Sequence, residues 1–438
     1  MIATSFPGNS TLRSTAEKLD ESDVLREFRS EFFIADPTQC YLDGNSLGRL
    51  PLQTIESVQH FLTAEWGTQL VAGWSHWIDE AEVAGDLLGA ATLRAGLGQT
   101  LVCDTTSMNF YQLALAAIQA RPDRKTVIID SANFPTDRYI LHGIAEHFGL
   151  NLITLDTDGT GGPGSVTLDV EHERVTSGAL QPFLNDDVAL VTLQAINYRS
   201  GARSELTEIS HAVKQAGALM LWDCSHAGGA IDLDVDKNGI DLAVGCTYKY
   251  GNSGPGSPAW LFVRKELQDE LHVPIRGWFA QRDQFLMGPW FSKAPGIQGF
   301  QVASPSIMGI RAVQASYQMI KRAGIAAIAA KAALGTELMI ALVDAWLAPH
   351  GFQLGTPRNK DHRGGHIIIT HPDAKAIAAA LRTVKNVVPD YREPSSIRLA
   401  ISPLATSFVE VWDGFDRLRD LVETRAYLDV APAESSVT

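Results

Sequence analysis

The sequence predicts an α/β protein in which a large domain on a mainly parallel sheet, residues 41–304, is followed by a smaller α+β domain, residues 305–430. Three observations carry that expectation. From about residue 80, short and continuously apolar runs alternate with helical patterns, as strands covered on both faces of a parallel sheet do. Beyond about 305 the pattern changes to long helices, then apolar runs at 366–370 (HIIIT) and 397–401 (IRLAI) with a helix from 373 between them. Polar clusters fall at the carboxyl ends of the first set of strands, which is where such a sheet binds its ligand.

At 438 residues the chain exceeds one ordinary core, and 45% apolar with 20% charged residues describes a globular protein with a large interior. A net charge of −14 argues against nucleic acid and anionic membranes as partners, because both need a basic face; a local anion site is still allowed. Cys40, Cys103, Cys224 and Cys246 are widely spaced without a C-x-x-C pair. That is neither a zinc site nor a disulfide framework, so no metal is expected and a reducing, cytoplasmic setting is. The first residues lack the charged start and apolar core of a signal peptide. The most apolar long stretch, 324–347, is interrupted by Lys331, Glu337 and Asp344 and reads as an amphipathic helix pair rather than a membrane span.

Taken in order, residues 1–40 form a polar arm with a helix over 22–33. At 41–51 (YLDGNSLGRLP) a short strand and a turn precede a helix to Trp66, with Ile55, Val58, Phe61 and Leu62 at helical spacing. A helix over 81–94 leads to a strand at 100–103, and DTTSMN opens a helix to Ala120. Strands follow at 126–129, 152–155, 188–193, 219–222, 242–244 and 259–263. The polar groups at strand ends are Asp104-Thr105-Thr106-Ser107, Asn133-Phe134-Pro135-Thr136-Asp137, Asp223 with His226, and Lys249. Residues 431–438 are expected to be disordered.

These groups suggest one chemistry. Asp104 to Ser107, between a strand and a helix, can direct amides and hydroxyls at a phosphate, although a simple N-cap is the alternative. Asp223 ends the apolar run ALMLW and needs a cationic partner, for which a protonated pyridine nitrogen is suited. Lys249 follows 26 residues later at the next strand end; desolvation would free its amine to form a Schiff base with an aldehyde cofactor, and a solvated turn lysine is the competing reading. His226 either supports the same group or is an ordinary buried histidine. Phosphate cradle, acid and lysine in that order on successive strand ends suit pyridoxal 5'-phosphate (PLP).

The run WDCSHAGGAIDLDVDKNGIDLAVGCTYKYGNSGPGSPA resembles the kynureninase family around its cofactor lysine. The resemblance extends through GNSLG (44–48), FPTD (134–137), NYRSG (197–201), GWF (277–279) and IRLAISPL (397–404), roughly residues 40 to 425. It implies the fold-type-I PLP-dependent transferase fold, close to class V aminotransferases. It makes Lys249 the Schiff-base lysine and Asp223 the partner of the pyridine nitrogen, with Asp137 assisting and Phe134 stacked on the ring. Thr106, Ser107 and Tyr248 would hold the phosphate, Tyr248 would also relay a proton, and Pro135, Thr136 and His226 complete the cofactor site. Arg398 would clamp the substrate α-carboxylate, with Asn45, Trp74 and Ser304 also on the substrate side. Trp278 and Ser304 would come from the neighbouring subunit of a homodimer. Ser304 and Trp74 match the bacterial, kynurenine-preferring pattern, whereas Gln194 and Ala405 depart from the family's usual serine or threonine and tyrosine.

The implied activity is PLP-dependent hydrolysis of the Cβ–Cγ bond of L-kynurenine to anthranilate and L-alanine. Gln194 and Ala405 leave open a 3-hydroxy- or ring-modified kynurenine in a specialised pathway. A C–S lyase or desulfurase shares the fold, but a desulfurase of that type needs a reactive cysteine well after the lysine, and none follows Cys246. A PLP-sensing transcription regulator would carry a DNA-binding helix pair, for which the acidic lead-in has neither room nor charge.

Overall fold

The apolar runs of the large domain assemble into one eight-stranded sheet in the computed structural model, which describes residues 11–430. Its order is Thr100–Val102, Trp260–Val263, Leu242–Gly245, Leu219–Asp223, Val188–Gln194, Thr126–Asp130, Asn151–Asp156 and Val166–Thr167. Every neighbour pair is parallel except the two made by Trp260–Val263, which runs against both Thr100–Val102 and Leu242–Gly245. The expectation of a mainly parallel sheet therefore holds, with one reversed strand. That strand turns back because the loop from residue 246 to 259 is too short for a crossover helix.

The five central strands have no exposed residue, as runs packed on both faces must. Helices Thr106–Gln119, Pro135–Phe148 and Leu206–Gln215 cover the sheet. The Thr105 hydroxyl caps the first of them by accepting from the Met108 amide at 3.2 Å. Pro135 opens the second, and Gly149 closes it in the left-handed region at φ 63°.

The smaller sheet is antiparallel, in the order Gln353–Leu354, His366–Thr370, Ser396–Ala400 and Asp390–Arg392. Its core draws on both ends of the described residues, from Ala16 to Tyr427. Ala16, Leu19, Cys40 and Leu42 pack with Leu338, Phe408 and Phe415, and Cys40–Tyr41 pairs in parallel with Val387–Val388. Asp20 accepts from the Phe408 and Val409 amides at 2.7 and 3.0 Å, so the first helix, Arg13–Glu21, caps the last, Phe408–Glu423.

Three expectations need adjusting. The described part of the 1–40 arm is shared between the cores, Ala16 and Leu19 packing in the second and Leu25 and Phe32 in the first, and its helix is Arg13–Glu21 followed by a 3₁₀ segment, Arg26–Glu31, not one helix over 22–33. Helix Ile307–Ala323 packs on Leu52–His60 and Glu80–Leu88 of the large domain, so the cores part inside helix Ile325–Leu342, not at 305. Composition marked a change of secondary structure, which is a different event from a change of core. The 324–347 stretch is one helical run, Ile325–Leu342 continued through Val343–Leu347, and not a pair; residues 431–438 lie outside the described residues.

The helical run Ile325–His350 is long and apolar enough to cross a membrane, but here it threads between the two cores. Its Lys331 is buried with Nζ 2.7 Å from the Asp23 carboxylate, and burial lowers the lysine's pKa. Removing one member of such a pair strands the other. Asp23→Ala should therefore cost about 3 kcal/mol in chemical denaturation, and a loss below about 1 kcal/mol would show that the pair is not holding arm and helix together.

Candidate active site

Lys249 stands four residues beyond strand Leu242–Gly245, on the loop that reverses into Trp260–Val263. The loop is closed on itself: the Thr247 hydroxyl is 2.6 Å from that of Ser257 and 2.7 Å from the Pro258 carbonyl. Gly254 and Gly256 take left-handed conformations that make the reversal possible. From there Lys249 Nζ lies 2.8 Å from His226 Nε2 and 5.7 Å from the centre of the Phe134 ring. Burial lowers the lysine's pKa, and nearby Cys246 and Asp223 oppose the shift. His226 is pushed well below the ordinary histidine range by burial and by Lys249. A neutral His226 that accepts from the amine carries its proton on Nδ1, and that atom has no partner.

Two carboxyl groups share the cavity. Asp223 ends its strand and accepts from the Ser225 amide at 2.8 Å. Asp137 is in the first turn of Pro135–Phe148, buried, with Oδ2 unpartnered. Burial raises both, and for Asp137 the charge of Asp223 adds to it. The start of helix Thr106–Gln119 forms the anion-binding end. The Thr105 hydroxyl takes the third amide, so those of Thr106 and Ser107, at the first two helical positions, have no partner within the helix.

The cavity between these groups holds about 250 Å³. Of the residues named from the sequence, Thr106, Ser107, Phe134, Thr136, Asp137, Asp223, His226, Tyr248 and Lys249 line it. Thr105, Ser225, Gly256, Ser257 and Ala259 join them; Ser225 carried no sequence signal beyond its place two residues after the acid. Pro135 is not on the wall and serves as the helix start. The donor set fits a phosphorylated pyridine aldehyde: free amides for phosphate, an unpartnered carboxyl oxygen beside a second acid for the ring nitrogen, and an amine of lowered pKa for the aldehyde.

The remaining sequence candidates lie outside this cavity. Arg398, on strand Ser396–Ala400, is buried and fully engaged. It is ion-paired to Asp390 and donates to the Tyr198 carbonyl and, at 2.9 Å, to the Ser46 hydroxyl. With its amide oxygen turned to the guanidinium, Asn45 accepts from Arg398 Nε at 2.7 Å. The GNSLG loop that carries Asn45 and Ser46 also meets the lysine loop, the Gly48 amide donating to the Tyr248 carbonyl at 2.8 Å. Trp278 and Ser304 are exposed, and Trp74 is half-buried, its ring 6.0 Å from that of Phe279. Sequence reasoning missed Asp390, Tyr198 and Ser46 as partners of Arg398. Only the pairing of Asp390 with Arg398 across adjacent strands could have indicated the first, and that register is invisible before the fold is known.

A large mixed sheet with a lysine, two acids and an anion-binding helix start at its strand ends defines a fold-type-I PLP-dependent enzyme. The fold matches the apo cysteine desulfurase of Thermococcus onnurineus NA1, with a TM-score of 0.75, 16% identity and coverage of 91% of this chain and 98% of that one. It also matches a C-DES mutant with glycine covalently linked to its PLP cofactor, at a TM-score of 0.74, 16% identity and coverage of 88% and 97%. Within that class the chain belongs to the kynureninase family. It is 35% identical over 422 residues to the kynureninase of Burkholderia pseudomallei strain K96243, covering 95% of this chain and 96% of that protein. It is 32% identical over 425 residues to that of Pseudomonas fluorescens, covering 95% and 97%. Residues 328–418 match the kynureninase C-terminal domain.

Asp130, buried at the end of its strand beneath this site, accepts from Asn133 Nδ2 at 3.1 Å, and burial raises its pKa to about 7. A carboxyl whose folded pKa lies above its unfolded value of about 4 binds its proton more tightly when folded. Its stabilisation is complete below about pH 4 and is lost as the pH rises to about 7. Thermal denaturation across that window should show a smaller fall in Tm for Asp130→Asn than for the wild type; equal slopes would contradict the shift.

Proposed function

We propose that this protein hydrolyses L-kynurenine to anthranilate and L-alanine with pyridoxal 5'-phosphate bound at Lys249. The observation that carries the reading is the Lys249 amine, of lowered pKa, in one cavity with Asp137, Asp223 and the Thr106 and Ser107 amides. Relatives of nearly the same length named kynureninase support it. Thr106 and Ser107 would bind the phosphate, Asp223 and Asp137 the ring nitrogen, and Phe134 the ring face, with Thr136 and His226 beside it. When bound, the cofactor supplies an electron-withdrawing ring that stabilises charge at the substrate α-carbon.

The chain's own residues then bind the substrate and move protons. Lys249 Nζ takes a proton from the substrate α-carbon and later returns one to the alanine fragment. Burial and the nearby Cys246 and Asp223 raise the Tyr248 pKa, which keeps its hydroxyl protonated as a donor at neutral pH. Water adds at the γ-carbonyl, and the Cβ–Cγ bond breaks. Arg398 receives the α-carboxylate in place of its bonds to Asn45 and Ser46.

Trp74, Trp278 and Ser304 serve the aryl end in this reading, the last two reaching the cavity of a second copy. Exposed Trp278, Phe285, Leu286, Met287 and Trp290 form an apolar stretch suited to such a homodimer. Four free, buried cysteines fit a cytoplasmic setting. All four being buried and none following Cys246 also counts against a desulfurase.

Turnover of L-kynurenine, 3-hydroxykynurenine and ring-substituted analogues, followed by alanine release, tests the reading. L-kynurenine should be the best substrate, and the visible absorbance of the purified protein should disappear in Lys249→Ala together with turnover. Alanine release from none of the panel would overturn the activity, and an unchanged Lys249→Ala spectrum the role of the lysine.

A further inference from the structure

Gln194 is not on the cavity wall, yet its side chain joins two turns that flank it. It ends strand Val188–Gln194, opposite Asp223 in the sheet, and is buried. Its Nε2 donates to the Ala132 carbonyl at 3.3 Å, and its Oε1 accepts from the Tyr198 amide at 3.0 Å. Ala132 stands two residues before Phe134, the aromatic ring on the cavity wall. Tyr198 does two further things: its ring meets Phe134 edge-on at 5.4 Å and 90°, and its carbonyl accepts from Arg398.

We propose that Gln194 is a positioning residue that fixes the Tyr198 carbonyl against Arg398 while holding Phe134 in place, an inference that rests on Arg398 being the carboxylate clamp. The amide suits this because it offers a donor to one turn and an acceptor to the other along a single planar group. Ala132 would keep a second donor without it, since Asn197 Nδ2 reaches the same carbonyl at 3.2 Å. The Tyr198 amide has no such reserve. With its acceptor removed it must turn to find another, and its own carbonyl turns with it, away from Arg398.

Gln194→Met preserves length and burial while deleting both bonds. It should retain cofactor content and raise both KM for L-kynurenine and Kd for L-alanine, measured by equilibrium dialysis, by about tenfold, with kcat within about threefold. Gln194→Glu, which keeps an acceptor for Tyr198, should restore most of the affinity. If Gln194→Met does not fold, Gln194→Leu carries the same expectation. Unchanged KM and Kd overturn the proposal, as does a fall in kcat with KM constant. Arg398→Gln is measured alongside. If it leaves KM and Kd unchanged, the clamp reading fails and takes the proposal with it; if it raises them and Gln194→Met does not, only the role of Gln194 is lost.

Discussion

The site depends on a balance of buried charge. Lys249 has a lowered pKa, Asp137 and Asp223 have raised ones, and His226 is held neutral, all around one small cavity. The favourable part of that balance is between the Lys249 amine and the two acids, each of which eases the burial of the other, since an isolated buried charge costs several kcal/mol. A ligand with a ring cation at one end and a phosphate at the other would partner the two acids through the first and the free Thr106 and Ser107 amides through the second. The strands put the groups together by ending at the same edge, and the cavity lies along that edge, lined by the large domain alone.

The loop GNSLG connects the two domains at the lysine. A β-carbon on Gly48 would fall 2.4 Å from the Lys249 carbonyl, and one on Gly44 would fall 1.7 Å from the Ser402 hydroxyl. Neither glycine has a positive φ, so their small size, not their freedom of rotation, is what the fold uses. Between them Asn45 and Ser46 reach Arg398. One short loop thus touches the lysine loop, the arginine and the smaller domain, although as sequence it reads as an ordinary turn.

Much of the fold was legible because the sheet strands are buried on both faces and announce themselves as apolar runs. Their polar ends located most of the cavity wall for the same reason: a charged residue closing an apolar run is conspicuous. The antiparallel course of Trp260–Val263 was not legible, since a fully buried strand has the same pattern in either direction. Nor was the pairing of Arg398 with Asp390, or the bond from Gln194 to Tyr198, because both depend on how separate strands and turns align. Trp74, Trp278 and Ser304 came from resemblance alone, and they lie outside the cavity of a single chain.

The capping of helix Phe408–Glu423 by Asp20 bears on how the protein is made. A ribosome delivers residue 20 well before residue 408, so helix Arg13–Glu21 waits through the synthesis of the 388 residues that separate them for the surface it covers. The large sheet, complete by residue 263, can form meanwhile. The smaller domain is therefore the later of the two to assemble, and until it does Ala16, Leu19 and Leu42 are apolar residues without a core.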